Sequence, residues 1–186
     1  MNRRVPMIVI AAFLMCASSA CKRSANKMNV HTLDSLLGST ENLLMEMNAL
    51  DRDSLHAIDS SYQLRKAALE VTMRDTLDKR SAIAIGNYHK AMNKSMGYVN
   101  KNFEPVIREL NTARKQLTDL KYDVERGALD PAVESGYISK ESLALSIAQQ
   151  HTGTLLSTAR SVIRDHARLA PIVDSVLLRT DTLFNR

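Results

Sequence analysis

The chain has 186 residues, room for one domain or two small ones; with 45% hydrophobic and 24% charged residues it can bury a core and is too apolar for a disordered tail. Aromatic residues make up 4%, Trp is absent, and six Gly and four Pro leave few turns, which argues against an all-β sandwich or barrel. A net charge of +5, without aromatic residues interleaved among the basic ones, also argues against nucleic acid as a partner.

The first segment carries Arg3 and Arg4, then an apolar run from Val5 to Met15, then Ala17-Ser18-Ser19-Ala20 ahead of Cys21. This order reads as an export signal over residues 1–20, and the apolar run falls short of the roughly 20 residues a membrane span needs. Ser18-Ser19-Ala20-Cys21 resembles the lipobox of bacterial lipoproteins, with Ser18 where an aliphatic residue is commoner. The resemblance covers about the first 21 residues. It implies cleavage before Cys21, a lipid on that cysteine, membrane attachment through it, and a place in the cell envelope. Lys22 after the cysteine points to the outer membrane, facing the periplasm. Ordinary signal-peptidase cleavage fits Ser18 and Ala20 as well. Removing Arg3 and Arg4 lowers the basic count from 25 to 23 against 20 acids, a net of +3. With Cys16 discarded and Cys21 acylated, no disulfide is available and packing alone stabilises the mature chain.

Residues 21–29 read as anchor and tether, and residues 30–186 as a single helical domain. Val30, Leu33, Leu37, Leu44 and Met47 form one seam, with Leu36, Leu43 and Leu50 beside it. The pattern slips phase near Asp51 to Ser54 and resumes at Leu55, Ile58, Tyr62 and Leu69, so the first rod spans 30–75, broken near Asp51, before a turn near 76–81. From Ala82 the seam runs Ile85, His89, Met92, Met96, Val99, Phe103, Val106, Leu110, Ala113, Leu117, Leu120, Val124, the spacing of a coiled coil. Pro105 predicts a kink or restart of this second rod, 82–126, near Asn102. Gly127 closes it, Asp130-Pro131 opens one short turn ended by Gly136, and Ser139 caps the third rod, 139–184. The third stripe is Leu145, Ala148, Thr152, Leu155, Ala159, Val162, His166, Leu169, Val173, Val176, Thr180 and Leu183. Leu156, Ile163, Ala170, Leu177 and Phe184 flank it, and Pro171 should bend it. So wide a stripe needs two neighbours. Three rods of about 67 Å each predict an all-α fold of long antiparallel helices, a three-helix bundle or a coiled-coil hairpin that completes its core as a homo-oligomer.

His89, Met92 and Met96 share one helix face and His166 lies in the third seam, nearly level with Met96 if the hairpin closes over 127–138. Thioether and imidazole together suit Cu(I), and the same positions are also ordinary core positions. Arg160, Arg164 and Arg168, and Lys90, Lys94 and Lys101, form outward basic stripes that either meet acidic partners or simply face water. No Gly-rich phosphate loop, His-Glu-x-x-His or Gly-x-Ser-x-Gly is present, so neither an enzyme nor a cofactor is expected. The expectation is a lipid-anchored scaffold, spacer or assembly subunit with an envelope protein partner. The alternatives are a periplasmic holdase-type chaperone and a Met/His metal-binding bundle.

Overall fold

The computed structural model describes residues 26–72 and 77–184, and all regular structure among them is helical. The expected leader, Cys21 and the first residues of the tether lie outside the described residues, as do 73–76 and the side chains of Thr180, Leu183 and Phe184.

Four of the helices start where a side chain takes up free amides of the first turn. The side chain of Asn26 accepts from the Met28 amide and starts α1, Lys27–Asn48, three residues ahead of the expected rod. The chain breaks at Ala49 to Asp51, where the phase slip predicts it. Asp51 then accepts from the Ser54 amide at 2.9 Å and opens α2, Arg52–Thr72. That bond holds the Asp51 carboxyl below its ordinary range. Asp78 accepts from the amides of Arg80 and Ser81 and from the Ser81 hydroxyl, and α3 follows as Lys79–Lys90. A π-helical turn, Ala91–Met96, joins α3 to α4, Gly97–Glu125.

α4 ends at Gly127, whose φ of 62° only glycine adopts at no steric cost; the Ala128 amide donates to the Asp123 carbonyl and the Gly127 amide to that of Val124, both at 3.0 Å. Asp130 accepts from the Ala132 amide, Pro131 takes the first helical position, and α5 runs unbroken over Pro131–Phe184, 54 residues or roughly 80 Å.

Three expected boundaries do not form. No turn forms at Gly136 and no cap at Ser139: Gly136 lies inside α5 facing open space, and the Ser139 hydroxyl donates back to the Ser135 carbonyl. One good cap at Asp130 starts the helix, and a single interior glycine costs only about 1 kcal/mol, too little to stop it. Nor does α4 restart at Asn102, whose side chain donates to the Tyr98 carbonyl inside the helix. Pro105 and Pro171 lie on exposed faces, where water reaches the carbonyl each leaves without an in-helix donor.

The rods run up, down and up as an all-α bundle, and α5 packs against every other helix, as its wide stripe requires. Leu33, Leu117, Leu120, Val124 and Ile138 fill the base where α1 begins, and Leu44, Met47, Phe103, Leu110, Ala148 and Leu155 fill the middle. Tyr62, Tyr88, Met92, Met96, Val162, Leu169 and Val173 belong to the largest cluster, at the distal end. No helix among the described residues is long and apolar enough to cross a membrane.

Candidate functional site

The distal end is where the regular pattern fails. From Met92 to Val124 every expected seam position is buried. Beyond the π turn, Tyr88 and Ser81 are buried in place of His89 and Ala82, which are exposed. A π turn accommodates one residue more than an α turn, so the buried face shifts by one position on its far side. That shift turns the large Tyr88 ring inward and leaves His89 at the rim.

α2 and α3 both lean on α5 with their own backbones held apart, and the α2 backbone approaches the second rod chiefly at the π turn. Between them lies a groove of about 400 Å³, lined by Tyr62, Lys66, Leu69 and Glu70 from α2 and by Ile85, Tyr88 and His89 from α3. Tyr62, Leu69, Ile85 and Tyr88 make an apolar, aromatic floor. Lys66, Glu70 and His89 form the rim, with the Lys66 ammonium 4.0 Å from Glu70.

Polar bonds hold this end at its spacing. The Tyr62 hydroxyl lies 2.7 Å from His89 Nδ1, and the Tyr88 hydroxyl 3.1 Å from His166 Nδ1. The two tyrosine rings meet edge to face at 5.8 Å between centroids. Arg65 reaches from α2 to α5 as a two-pronged ion pair, Nε to Asp174 Oδ1 at 2.7 Å and Nη2 to Oδ2 at 2.8 Å, and it also bonds Ser61 and the Tyr88 phenol. Each rod thus contributes to one chain of contacts, Asp174–Arg65–Tyr88–His166, with Tyr62–His89 beside it.

Burial raises the pKa of both phenols, which keeps their protons on at neutral pH. Burial also lowers that of His166, with the Arg65 charge acting in the same direction and Asp174 opposing it. Arg65 donates to the Tyr88 oxygen, which leaves the phenol proton for Nδ1 of His166, a ring that burial disfavours from charging. The Asp174 carboxylate is the main reason the Arg65 guanidinium is held even more firmly charged than usual.

The four metal-ligand candidates are not assembled as one set. His89 and His166 each engage a different tyrosine through Nδ1, and Met92 and Met96 are buried in the apolar cluster. His166 stands level with Tyr88 rather than with Met96, because α5 begins at Pro131 and not Ser139, which shifts the register of the hairpin. Among the described residues no group of three or more His, Cys, Asp or Glu is placed to hold a metal ion.

Of the basic stripes, Arg160, Lys90, Lys94 and Lys101 are exposed, while Arg164 and Arg168 share Asp165 at 3.8 and 3.1 Å. The last two are therefore partly neutralised, and neither stripe lines the groove. Sequence reasoning missed Tyr88, Arg65 and Asp174. Tyr88 was readable only by allowing one extra residue in a turn next to His89, and nothing local marks Arg65 and Asp174 as partners.

No protein-family model, curated protein or solved structure matches this chain.

Proposed function

We propose that this protein is a lipid-anchored interaction and spacer module of the cell envelope, held by Cys21 and presenting its distal end to a partner. The observation that carries the reading is directional. α1 starts six residues after Cys21 at the base, and the groove lies about 40 residues further along the first rod, roughly 60 Å away at 1.5 Å per residue. A bundle stiffened by the 54-residue α5 keeps that spacing, whereas a flexible linker would collapse it. The open groove and the polar rim are what such a spacer would hold out from the membrane surface.

Intact-mass measurement on membrane and soluble fractions, with a Cys21→Ser form alongside, tests the anchor. The expected result is a membrane-bound species heavier than residues 21–186 by the mass of lipid, lost in the variant. A soluble species beginning at an unmodified Cys21 overturns anchoring and makes a diffusible module the better reading.

A further inference from the structure

A second concavity lies at the base of the bundle, on the outer side of the α4–α5 hairpin. Residues two apart on a helix point about 200° apart, so while Lys121 of α4 reaches α1 through its 2.5 Å ion pair with Asp34, Asp119 and Asp123 face away from α1. There Asp119, Leu120 and Asp123 of α4, Leu129 of the connecting turn, and Tyr137 and Glu141 of α5 surround a dish of about 320 Å³. That volume lies at the small end of the range of about 300–1,000 Å³ typical of ligand pockets.

The floor of the dish is apolar and its wall is acidic. Leu120 and Leu129 belong to the aliphatic packing of the base, and the Tyr137 ring beside them is 44% exposed. Asp123 and Glu141 are half-buried, and among the described residues no side chain or backbone amide engages either carboxylate. A charge in that position loses hydration that nothing in the chain replaces. Two lysines stand at the edge: Lys115, 2.5 Å from Asp119, and Lys140, whose ammonium is 5.7 Å from the centroid of the Tyr137 ring. Arg126, one turn past Asp123, is turned onto Tyr122 instead. Three carboxylates against two lysines leave the dish negative, on a chain whose total charge is +5, and no basic side chain lines it. The missing counter-charge is therefore a cation. The carboxylates do not converge as a metal-ion site does, and they flank an apolar floor that a bare ion would leave uncovered.

We infer that this dish binds a small organic ammonium with an apolar body, its charge at Asp123 and Glu141 and its body on Leu120, Leu129 and the Tyr137 ring. The dish extends over two turns of α4 and one turn of α5, room for one such molecule and too little for a partner helix of ordinary length. The inference concerns the outer face of the base and depends neither on Cys21 nor on the distal groove.

Amide chemical shifts of the intact, isotope-labelled chain, titrated with phenethylammonium at constant ionic strength, test it. Phenethyl alcohol and phenylpropionate serve as the uncharged and oppositely charged probes, and calcium as the bare cation. The expected result is saturable shifts confined to 116–123 and 137–141, with the ammonium bound at least about tenfold more tightly than the alcohol or the carboxylate, the effect of a charge-assisted contact, and no saturation of the same amides by calcium. Asp123→Asn and Glu141→Gln together should weaken the ammonium by at least about tenfold and leave the alcohol unchanged. Tyr137→Ala should weaken ammonium and alcohol alike. Circular dichroism on the variants checks the fold. Absence of saturable shifts at these residues, equal affinity for the alcohol or the carboxylate, saturation of the same amides by calcium, or unchanged ammonium binding in the folded double variant would each overturn the assignment.

Discussion

Around Leu33, Leu117 and Val124 the three rods close on one another through aliphatic side chains, with the Asn29–Glu134 bond and the Asp34–Lys121 ion pair at their edge, whereas around Tyr62 and Tyr88 two rods lean on the third and are spaced by hydrogen bonds and an ion pair. The aliphatic part of the basal packing is non-directional and gains free energy from every methylene removed from water. The distal packing is directional and tolerates a gap, because the polar bonds fix a separation that apolar side chains would otherwise collapse. The base is closed, whereas the distal end, although it holds the largest apolar cluster, carries an open and chemically varied surface, and local opening should follow the same division.

Truncating the closed end should produce the largest effect. Leu110 is fully buried in the middle cluster, so Leu110→Ala removes its packing and leaves a cavity. The expected cost is about 3 kcal/mol, read as a fall in the urea midpoint with unchanged slope. A loss below about 1 kcal/mol would show that the middle of the bundle is as loosely held as the tip, and the contrast between the ends would fail.

Cutting the polar stitching should cost less and act locally. Asp174→Asn leaves the Arg65 guanidinium, whose side chain is 19% exposed, without its carboxylate. A fully buried pair broken this way costs about 3–5 kcal/mol; with the Asp174 side chain 46% exposed to screening water, about 1 kcal/mol is expected. Hydrogen exchange should quicken in α2 and α3 while α1 and α4 keep their protection. Uniform quickening along the chain would mean that the distal end does not open independently.

The same division explains what could be read in advance. From Met92 to Val124, and from Leu145 to Leu155, burial follows the heptad spacing residue by residue, because in a long bundle one periodic signal sets both the helix and its buried face. The break at Asp51 was also legible, as a slip in that same signal. The distal site was not. A π turn has no reliable local signature, so the shift from His89 to Tyr88 appears only once the turn is in place. Arg65 and Asp174 are 109 residues apart and meet only because the α4–α5 hairpin and the capped break at Asp51 set the register of all three rods. Gly136 and Ser139 misled for the opposite reason, since local turn residues were outweighed by a stronger cap at Asp130 and continuous packing on both sides. The lipobox-like segment is a motif of the sequence alone and owes nothing to the bundle.

The smallest effect is one of pH, and its sign follows from His166. Three groups face its ring: the Tyr88 hydroxyl from α3, the Arg65 guanidinium from α2, and Asp174 on its own helix. Burial first, and then the Arg65 charge, lower its pKa below the ordinary value of 6.5, while Asp174 pulls the other way. When the distal end opens, His166 regains water and takes a proton more readily than it does when closed. The closed form is therefore favoured fully above pH 6.5 and loses that advantage as the pH falls through the lowered value. Hydrogen exchange in α2 and α3 should accelerate between pH 7.5 and pH 5, after correction for intrinsic exchange, by more than in α1 and α4. His166→Gln keeps a hydrogen-bonding side chain but cannot titrate, so it should flatten that difference. If the variant retains the full pH dependence, the sensitivity lies elsewhere, and the Tyr88–His166 bond is a fixed strut that does not respond to protonation.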